Sequence, residues 1–434
     1  MKQIIFSVFF LISGVSHWAV AQSQRLSLAS LEQVSTLVLQ QNPDGKIYLA
    51  KQQKSKQELH NQYGAFAPTI TGNFNGQYNI DRQTTALPGI IFNKPNEMIN
   101  VQMGTDYIYN TGLSASVDIL NFQTIFQVKT AKLNTELQTA QSEAFHQLLR
   151  EQTALYYFGV LIGKKNLEIQ QLNLLSADST LALSKQKYAQ GIIDLASLNQ
   201  AQIALNQVKI ASINSEKTVH FYTTQLKNLL GLTPKDELVF GDSVGLQTKA
   251  FPNFNSVSPD KNLALYRLQY QVAKSDLLVK KAAFLPRLSV NGYWGFQQLS
   301  NEFWANDWSK YNYVGLNLSL PIMNGYRNIG NAKLANWNAK IQAQIQENEE
   351  LKAQNKEAQL LDDYQNALQQ LVLAKENYQL YQENKELTFQ KYSQEIIGLD
   401  AYLKSYDDYL KAENQYLSAL SLTYGYYATL FARK

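Results

Sequence analysis

The sequence predicts an α+β membrane protein built from two repeated helix–β-hairpin–long-helix units. Three observations predict it: a long internal echo, a switch of apolar period from 3.6 to 2 inside each half, and a long proline-free stretch after each period-2 block. The echo pairs Gln-Lys-Tyr-Ala-Gln-Gly-Ile-Ile-Asp-Leu around Tyr188 with Gln-Lys-Tyr-Ser-Gln-Glu-Ile-Ile-Gly-Leu around Tyr392. A second echo pairs Phe66-Ala67-Pro68 with Phe284-Leu285-Pro286, in the same order within each half. A unit this long is not a solenoid repeat, whose period is about 20–50 residues.

The chain opens with the pattern of a secretory signal over residues 1–21. Lys2 supplies a minimal positive region, residues 4–15 are mostly apolar, and Ala19-Val20-Ala21 is a small-residue cleavage site. The mature chain is expected to start at Gln22. No later apolar run is long enough for a transmembrane helix. Cysteine is absent, which excludes disulfides, thiolate metal sites and lipid attachment through an N-terminal cysteine. A mean hydropathy of −0.30 puts most of the chain in water. With a net charge of only +4 and no basic run, nothing argues for nucleic acid.

Residues 26–63 read as helical, interrupted at Asn42-Pro43-Asp44, where proline restarts a helix. The period then becomes 2. Over residues 66–80, Phe66, Pro68, Ile70, Gly72, Phe74, Gly76, Tyr78 and Ile80 share one face, with Thr, Asn and Gln on the other. Residues 107–120 repeat this, with Tyr107, Tyr109, Leu113, Ala115, Val117 and Ile119 against Asn110, Ser114, Ser116 and Asp118. The connection between these strands, residues 81–106, is long enough to be exposed or functional. The second half carries strands at 286–298 and 311–321, with Leu288, Val290, Trp294, Phe296, Val314, Leu316 and Leu318 on the apolar face, and a joining loop with Phe303, Trp304 and Trp308.

The helices expected at 122–230 and 322–430 each begin with a rod of about 100 Å, at 1.5 Å per residue. Seam residues are Leu133, Leu137, Ala140, Ala144 and Leu148 in the first, and Leu361, Tyr364, Leu368, Leu371 and Tyr378 in the second. A turn near each echo then reverses the chain into a shorter helix. The first return ends at Gly231, with Pro234 beyond it; the second carries a stripe of Tyr402, Tyr406, Tyr409, Tyr416, Leu420 and Tyr427, read as helix packing with wet hydroxyls. The first unit is thus 22–231, the linker 232–258 and the second unit 259–434.

Four strands with one apolar and one polar face need either lipid or a core. In lipid the sheet must close, since open edges leave backbone groups unsatisfied. Bacterial barrels start at about eight strands, so closure takes several chains. A soluble sandwich explains neither the rods nor the repeated hairpin. A coiled-coil structural or adhesive surface protein is the alternative, and the two-faced, aromatic strands count against it.

These motifs resemble the TolC family of outer-membrane efflux proteins. The resemblance rests on Leu26-Ser27-Leu28 with Asn42-Pro43, on Phe66-Ala67-Pro68-Thr69-Ile70, on the junction from Leu316 to Gly325 through Pro321, on the two echoes, and on Leu229-Leu230-Gly231-Leu232. It implies a homotrimer whose twelve-stranded β-barrel continues into an α-helical coiled-coil barrel. It further implies an outer-membrane location with a long periplasmic helical portion, and partners in a periplasmic adaptor and an inner-membrane pump of RND or ABC type. The implied function is a passive duct for efflux or type I secretion, opened at the periplasmic tip.

Family members narrow the pore at that tip with inward side chains, often acids six and nine positions after the tip glycine. Counting from Gly191, those places hold Ser197 and Gln200. In the second turn Glu395 replaces the glycine, and the places hold Ala401 and Lys404. The candidate constriction is therefore Asp194, Ser197, Tyr392, Asp400 and Lys404, with Gly191 and Glu395 as the tip turns. Asp194 and Asp400 also fit a plain role as helix-cap or turn residues.

No enzyme site emerges and no cofactor is expected. His17, His60, His146 and His220 share no ligand spacing. Gly159 to Gly163 before Lys164 has three intervening residues where a phosphate loop has four, and no Ser or Thr follows the lysine. Two helices in close contact explain those glycines better. The acid pairs Asp362-Asp363 and Asp407-Asp408 read as solvated helix faces.

Overall fold

The computed structural model describes residues 25–241, 251, 252, 254 and 256–434. The expected signal at 1–21 lies outside them, as does part of the 232–258 linker. The chain forms two compact units that cut across the sequence halves. One takes residues up to Pro43, Leu149–Asn253 and Ala367–Ala428; the other takes Asp44–Leu148, Phe254–Asn366 and Thr429–Lys434.

In chain order the elements are β1 (Arg25–Leu28), α1 (Leu31–Gln41), α2 (Pro43–Gly64), β2 (Thr69–Tyr78), β3 (Gln83–Pro88), β4 (Met98–Met103), β5 (Tyr107–Asn121), α3 (Phe122–Ala189) and α4 (Leu195–Leu230). There follow β6 (Glu237–Phe240), α5 (Asn262–Ala282), β7 (Arg287–Ser300), β8 (Trp308–Ser319), α6 (Arg327–Ser393) and α7 (Leu399–Ala432). The long helices α3 and α6 have 68 and 67 residues, and the return helices α4 and α7 have 36 and 34. No helix among the described residues is long and apolar enough to cross a membrane.

The unit that takes Asp44–Leu148 and Phe254–Asn366 is organised by one four-stranded antiparallel sheet in the order β2-β5-β7-β8. Register carries the apolar face across all four strands. Ile70 lies opposite Ala115, Ala115 opposite Gly292, and Gly292 opposite Val314. Val117, Val290 and Leu316 form another such row. Ile70, Phe74, Trp294, Val314, Leu316 and Leu318 are all exposed. The opposite face carries Thr71, Asn73 and Ser114, with Thr71 and Ser114 hydroxyls 2.7 Å apart. Its two charges, Asp118 and Arg287, pair at 2.8 Å. The two inner strands meet at Gly112 and Gly295, which are register partners. A Cβ on either glycine would collide with the backbone of the facing strand, so only glycine fits this approach.

Several details differ from the sequence expectation. Alternation in β5 breaks at a bulge between Asp118 and Leu120, so Leu120, not Ile119, faces Leu288. Residues 81–106 are not an irregular loop. They form the β3-β4 hairpin around a 3-10 turn at Gly89–Phe92, held at its base by Arg82 and Asp106 at 2.7 Å. Trp308 opens β8 instead of lying in the loop. Helix α6 begins at Arg327, not at 322, because Pro321 and a left-handed Gly325 (φ 64°) turn the chain first.

In the other unit, Leu26 and Leu28 belong to a strand and not to a helix. β1 pairs in parallel with β6, which lies inside the expected linker. Ser30 caps helix α1: its Oγ accepts from Gln33 N–H at 3.4 Å, and Gln33 Oε1 reaches back past the cap to accept from Ala29 N–H at 3.0 Å. The pair Gly159 and Gly163 lies against the Tyr222 ring and Val219, the close α3-α4 approach expected of them. Tyr402, Tyr406, Tyr409 and Tyr416 of the α7 stripe are buried and Tyr427 is half-buried, and three of the hydroxyls meet α3 instead of water. Tyr406 donates to the Asn173 carbonyl and Tyr409 to Asn173 Oδ1, both at 3.2 Å, and Thr180 donates to Tyr402 Oη at 3.2 Å. Hydrogen bonding these three hydroxyls to α3 offsets the penalty of burying them.

Candidate functional site

The candidate constriction residues all fall at the two turns that end α3 and α6. Both turns close with the same backbone bonds. Ile192 N–H donates to the Lys187 carbonyl at 2.9 Å and Gly191 N–H to the Tyr188 carbonyl at 2.9 Å. In the second turn, Ile396 N–H donates to the Lys391 carbonyl at 2.9 Å and Glu395 N–H to the Tyr392 carbonyl at 3.2 Å. This is the Schellman arrangement, which needs a left-handed residue after the helix. Gly191 (φ 74°) supplies it at no steric cost; Glu395 (φ 62°) does so against its Cβ.

Asp194 is the N-cap of α4, and its Oδ1 accepts from Ser197 N–H at 2.8 Å. That backbone hydrogen bond holds the Asp194 carboxyl below the usual carboxylate range. The equivalent position before α7 is Gly398, so the second turn has no such cap. Asp400 sits exposed in the first turn of α7, where its charge complements the helix dipole, and Lys404 lies exposed one turn later.

Tyr392 is buried. Its hydroxyl is 3.1 Å from Ser184 Oγ, and its ring stacks on Tyr402 at 5.7 Å. Lys187, itself buried, donates to the Tyr392 carbonyl at 2.7 Å, lies 4.4 Å over the Tyr392 ring and reaches Glu395 at 3.9 Å. The structure thus brings Asp194 to Ser197, and Tyr392 to Glu395 through Lys187. Among the described residues, no hydrogen bond or ion pair ties either group to Asp400 or Lys404.

Two residues that sequence reasoning missed stand out. Lys187 is one; nothing in the echo separates it from Lys391, which is exposed. Glu413 is the other. It is buried in α7, accepting from Gln170 Nε2 at 2.6 Å and Asn173 Nδ2 at 2.8 Å. Burial pushes its carboxyl up, partly offset by these bonds and by Lys385. Glutamate on the tyrosine-striped helix looks like any solvated acid in sequence, and only the facing amides mark it. No group of acids and histidines among the described residues could hold a metal ion.

A two-faced antiparallel sheet feeding helices of nearly 70 residues is the architecture of an outer-membrane channel of mixed helix and sheet. Solved channels share the fold. The outer-membrane channel OprN superposes with a TM-score of 0.76 at 17% identity, over 93% of this chain and 89% of that one. The Campylobacter jejuni CmeC outer membrane channel gives 0.75 at 18%, over 100% and 93%. The open state of the Neisseria gonorrhoeae MtrE outer membrane channel gives 0.71 at 16%, over 93% and 88%. In sequence, outer membrane protein TolC of Vibrio cholerae is 22% identical over 232 residues, or 50% of this chain; the match spans about half of that relative, 52% of its length. A family model described as outer membrane efflux protein matches residues 34–232 and 258–426. The chain belongs to the outer membrane efflux protein family.

Proposed function

We propose that the chain is one protomer of a homotrimeric, passive export duct in the outer membrane of a Gram-negative-type cell. Three copies would close twelve strands into one barrel, and their long helices would form the periplasmic tunnel. One observation carries the reading. The β2-β5-β7-β8 sheet exposes an apolar face, backs it with a polar one, and leaves β2 and β8 each with a free edge among the described residues. Lipid against the apolar face and strands of further copies at both edges satisfy all three features together.

In this reading the duct has no chemistry of its own. A periplasmic adaptor and an inner-membrane pump of RND or ABC type would open the tip and supply the energy. At the tip, Asp400 and Lys404 would present charge to the passage. Asp194 and Ser197 would fix the first turn, Gly191 and Glu395 would shape the turns, and Tyr392 would hold the second turn to α3.

Planar-bilayer recording of the purified protein tests the duct. Stepwise single-channel conductance supports it, and a protein released from membranes by salt alone, without conductance, overturns it. Asp400→Ala then tests the tip, because an inward acid becomes a ring of three that favours cations. Unchanged cation selectivity removes Asp400 from the passage.

A further inference from the structure

Three tyrosines gather on the polar face of the sheet. Tyr293 of β7 lies opposite Tyr313 of β8, and Tyr311 lies one row further along, opposite Gly295. Their rings are in mutual contact: Tyr293 stacks on Tyr313 at 6.0 Å, Tyr311 meets Tyr313 edge-on at 5.7 Å, and Tyr293 and Tyr311 are 5.8 Å apart. Tyr311 and Tyr313 are each 46% exposed. The Tyr293 ring borders the bare position of Gly295, whose register partner is Gly112. A strip of wall without side chains therefore runs beside the rings.

Two further observations point to a ligand. Asn291 Oδ1 and Tyr293 Oη are buried and have no hydrogen-bond partner among the described residues. Both belong to the polar face, one row apart. A buried polar atom left unpaired is costly, so such atoms normally meet a partner. The charge of this face is also informative. The register places only Asp118 and Arg287 as charged residues on it, and they neutralise one another at 2.8 Å. No ring of like charge exists there to select an ion.

We propose that Tyr293, Tyr311 and Tyr313 form a binding shelf for uncharged, polyhydroxylated molecules with flat ring faces, the chemistry of a neutral oligosaccharide. The proposal rests on the polar face lining a water-filled duct. Sugar C–H faces would lie on the two exposed rings, and a turn of the Tyr293 and Asn291 side chains toward the duct would bring Tyr293 Oη and Asn291 Oδ1, covered in the free protein, to the sugar hydroxyls. A charged cargo would find no counter-charge, and a purely aromatic one would leave both polar atoms unpaired. Cross-strand packing alone would also bring the rings together, but it accounts for neither the exposed ring faces nor the two orphaned oxygens.

Saturation-transfer NMR on the full-length protein, in a detergent without a sugar headgroup, tests this with maltohexaose and a polyethylene glycol of equal mass. The expected result is transfer to maltohexaose and none to the glycol. Removing both exposed rings in Tyr311→Ser/Tyr313→Ser should weaken binding about tenfold or more. Tyr311→Phe/Tyr313→Phe should keep it, and Tyr293→Phe should weaken it more mildly. Tyr311→Ser alone, with the same direction, serves if the double variant does not assemble. No transfer to maltohexaose, or equal transfer in the serine variants, overturns the shelf. Conductance recorded on the same preparation separates the two readings: a conducting protein that ignores the sugar refutes the shelf and leaves the duct standing.

Discussion

The two turns that reverse the long helices use one backbone in two settings. Tyr188 at the first is 41% exposed, whereas Tyr392 at the second is 1% exposed. The leucines that begin the return helices differ in the same way, Leu195 at 55% and Leu399 at 3%. Glycine and polar residue also trade places, Gly191 and Asp194 in one, Glu395 and Gly398 in the other. The shared sequence, Gln-Lys-Tyr with Ile-Ile after it, is enough to specify the Schellman bonds. What surrounds each tyrosine is decided by tertiary partners: Tyr392 has Ser184, Lys187 and Tyr402, and Tyr188 has no comparable enclosure. A duplicated motif therefore reports a duplicated backbone and leaves the role of each copy open.

The largest expected break in this comparison comes from the tyrosines. Tyr392→Ala should cost about 3–5 kcal/mol, the usual penalty for emptying a buried aromatic site, and Tyr188→Ala under about 1 kcal/mol, both read by chemical denaturation. Equal losses would show that the two turns are packed alike. The lysines come next. Lys187→Ala removes the charged one of two donors to the Tyr392 carbonyl, leaving only the Glu395 N–H, and should cost about 1–3 kcal/mol, while Lys391→Ala should be nearly silent.

Smaller effects follow from the left-handed residues. Gly191→Ala should destabilise the first turn by about 1 kcal/mol, and Glu395→Gly should stabilise the second by a similar amount, less what its contact with Lys187 contributes. Both are measurable as shifts in denaturation midpoint, and shifts of the same sign would contradict the assigned geometry. The smallest effect concerns pH. Because the folded Asp194 carboxyl is held below its unfolded value, its capping contribution is present above the unfolded pKa and lost as pH falls through the folded one. Amide exchange at Ser197, corrected for the intrinsic pH dependence, should therefore speed up in acid. The matching amide in the second turn, Ala401, follows Gly398 and should show no such step. Glu413 has the opposite sign: its carboxyl is raised, so its contribution is present at low pH and fades as pH rises through the folded value.

Much of this fold could be read from sequence wherever a regular period persisted. The alternation in residues 66–80 and 107–120 located β2 and β5 and their apolar face, because a sheet face is set by period alone. Proline-free stretches located α3 and α6. Elements defined by distant partners were not legible. β1 and β6 are four residues each, and their pairing joins Leu26 to Leu238, so neither carries enough period to be recognised. The bulge at Asp118 and Leu120 depends on β7. The division into units was hidden for the same reason: each gathers segments from both halves. At the turns, Asp194 was recognisable as a cap from its residue type, but the burial of Tyr392, Lys187 and Glu413 depends on what α3 presents to α6 and α7.

The central claim is that the free edges of β2 and β8 are completed by other copies of this chain. The sequence has no cysteine, so any disulfide must form between the positions introduced on β2 and β8. Pairs scanned along Thr69–Tyr78 and Trp308–Ser319 should, upon mild oxidation in membranes, give a ladder of one, two and three linked chains that stops at three. A protein that stays monomeric at every pair, or a ladder that continues past three, would contradict closure of the barrel by three copies.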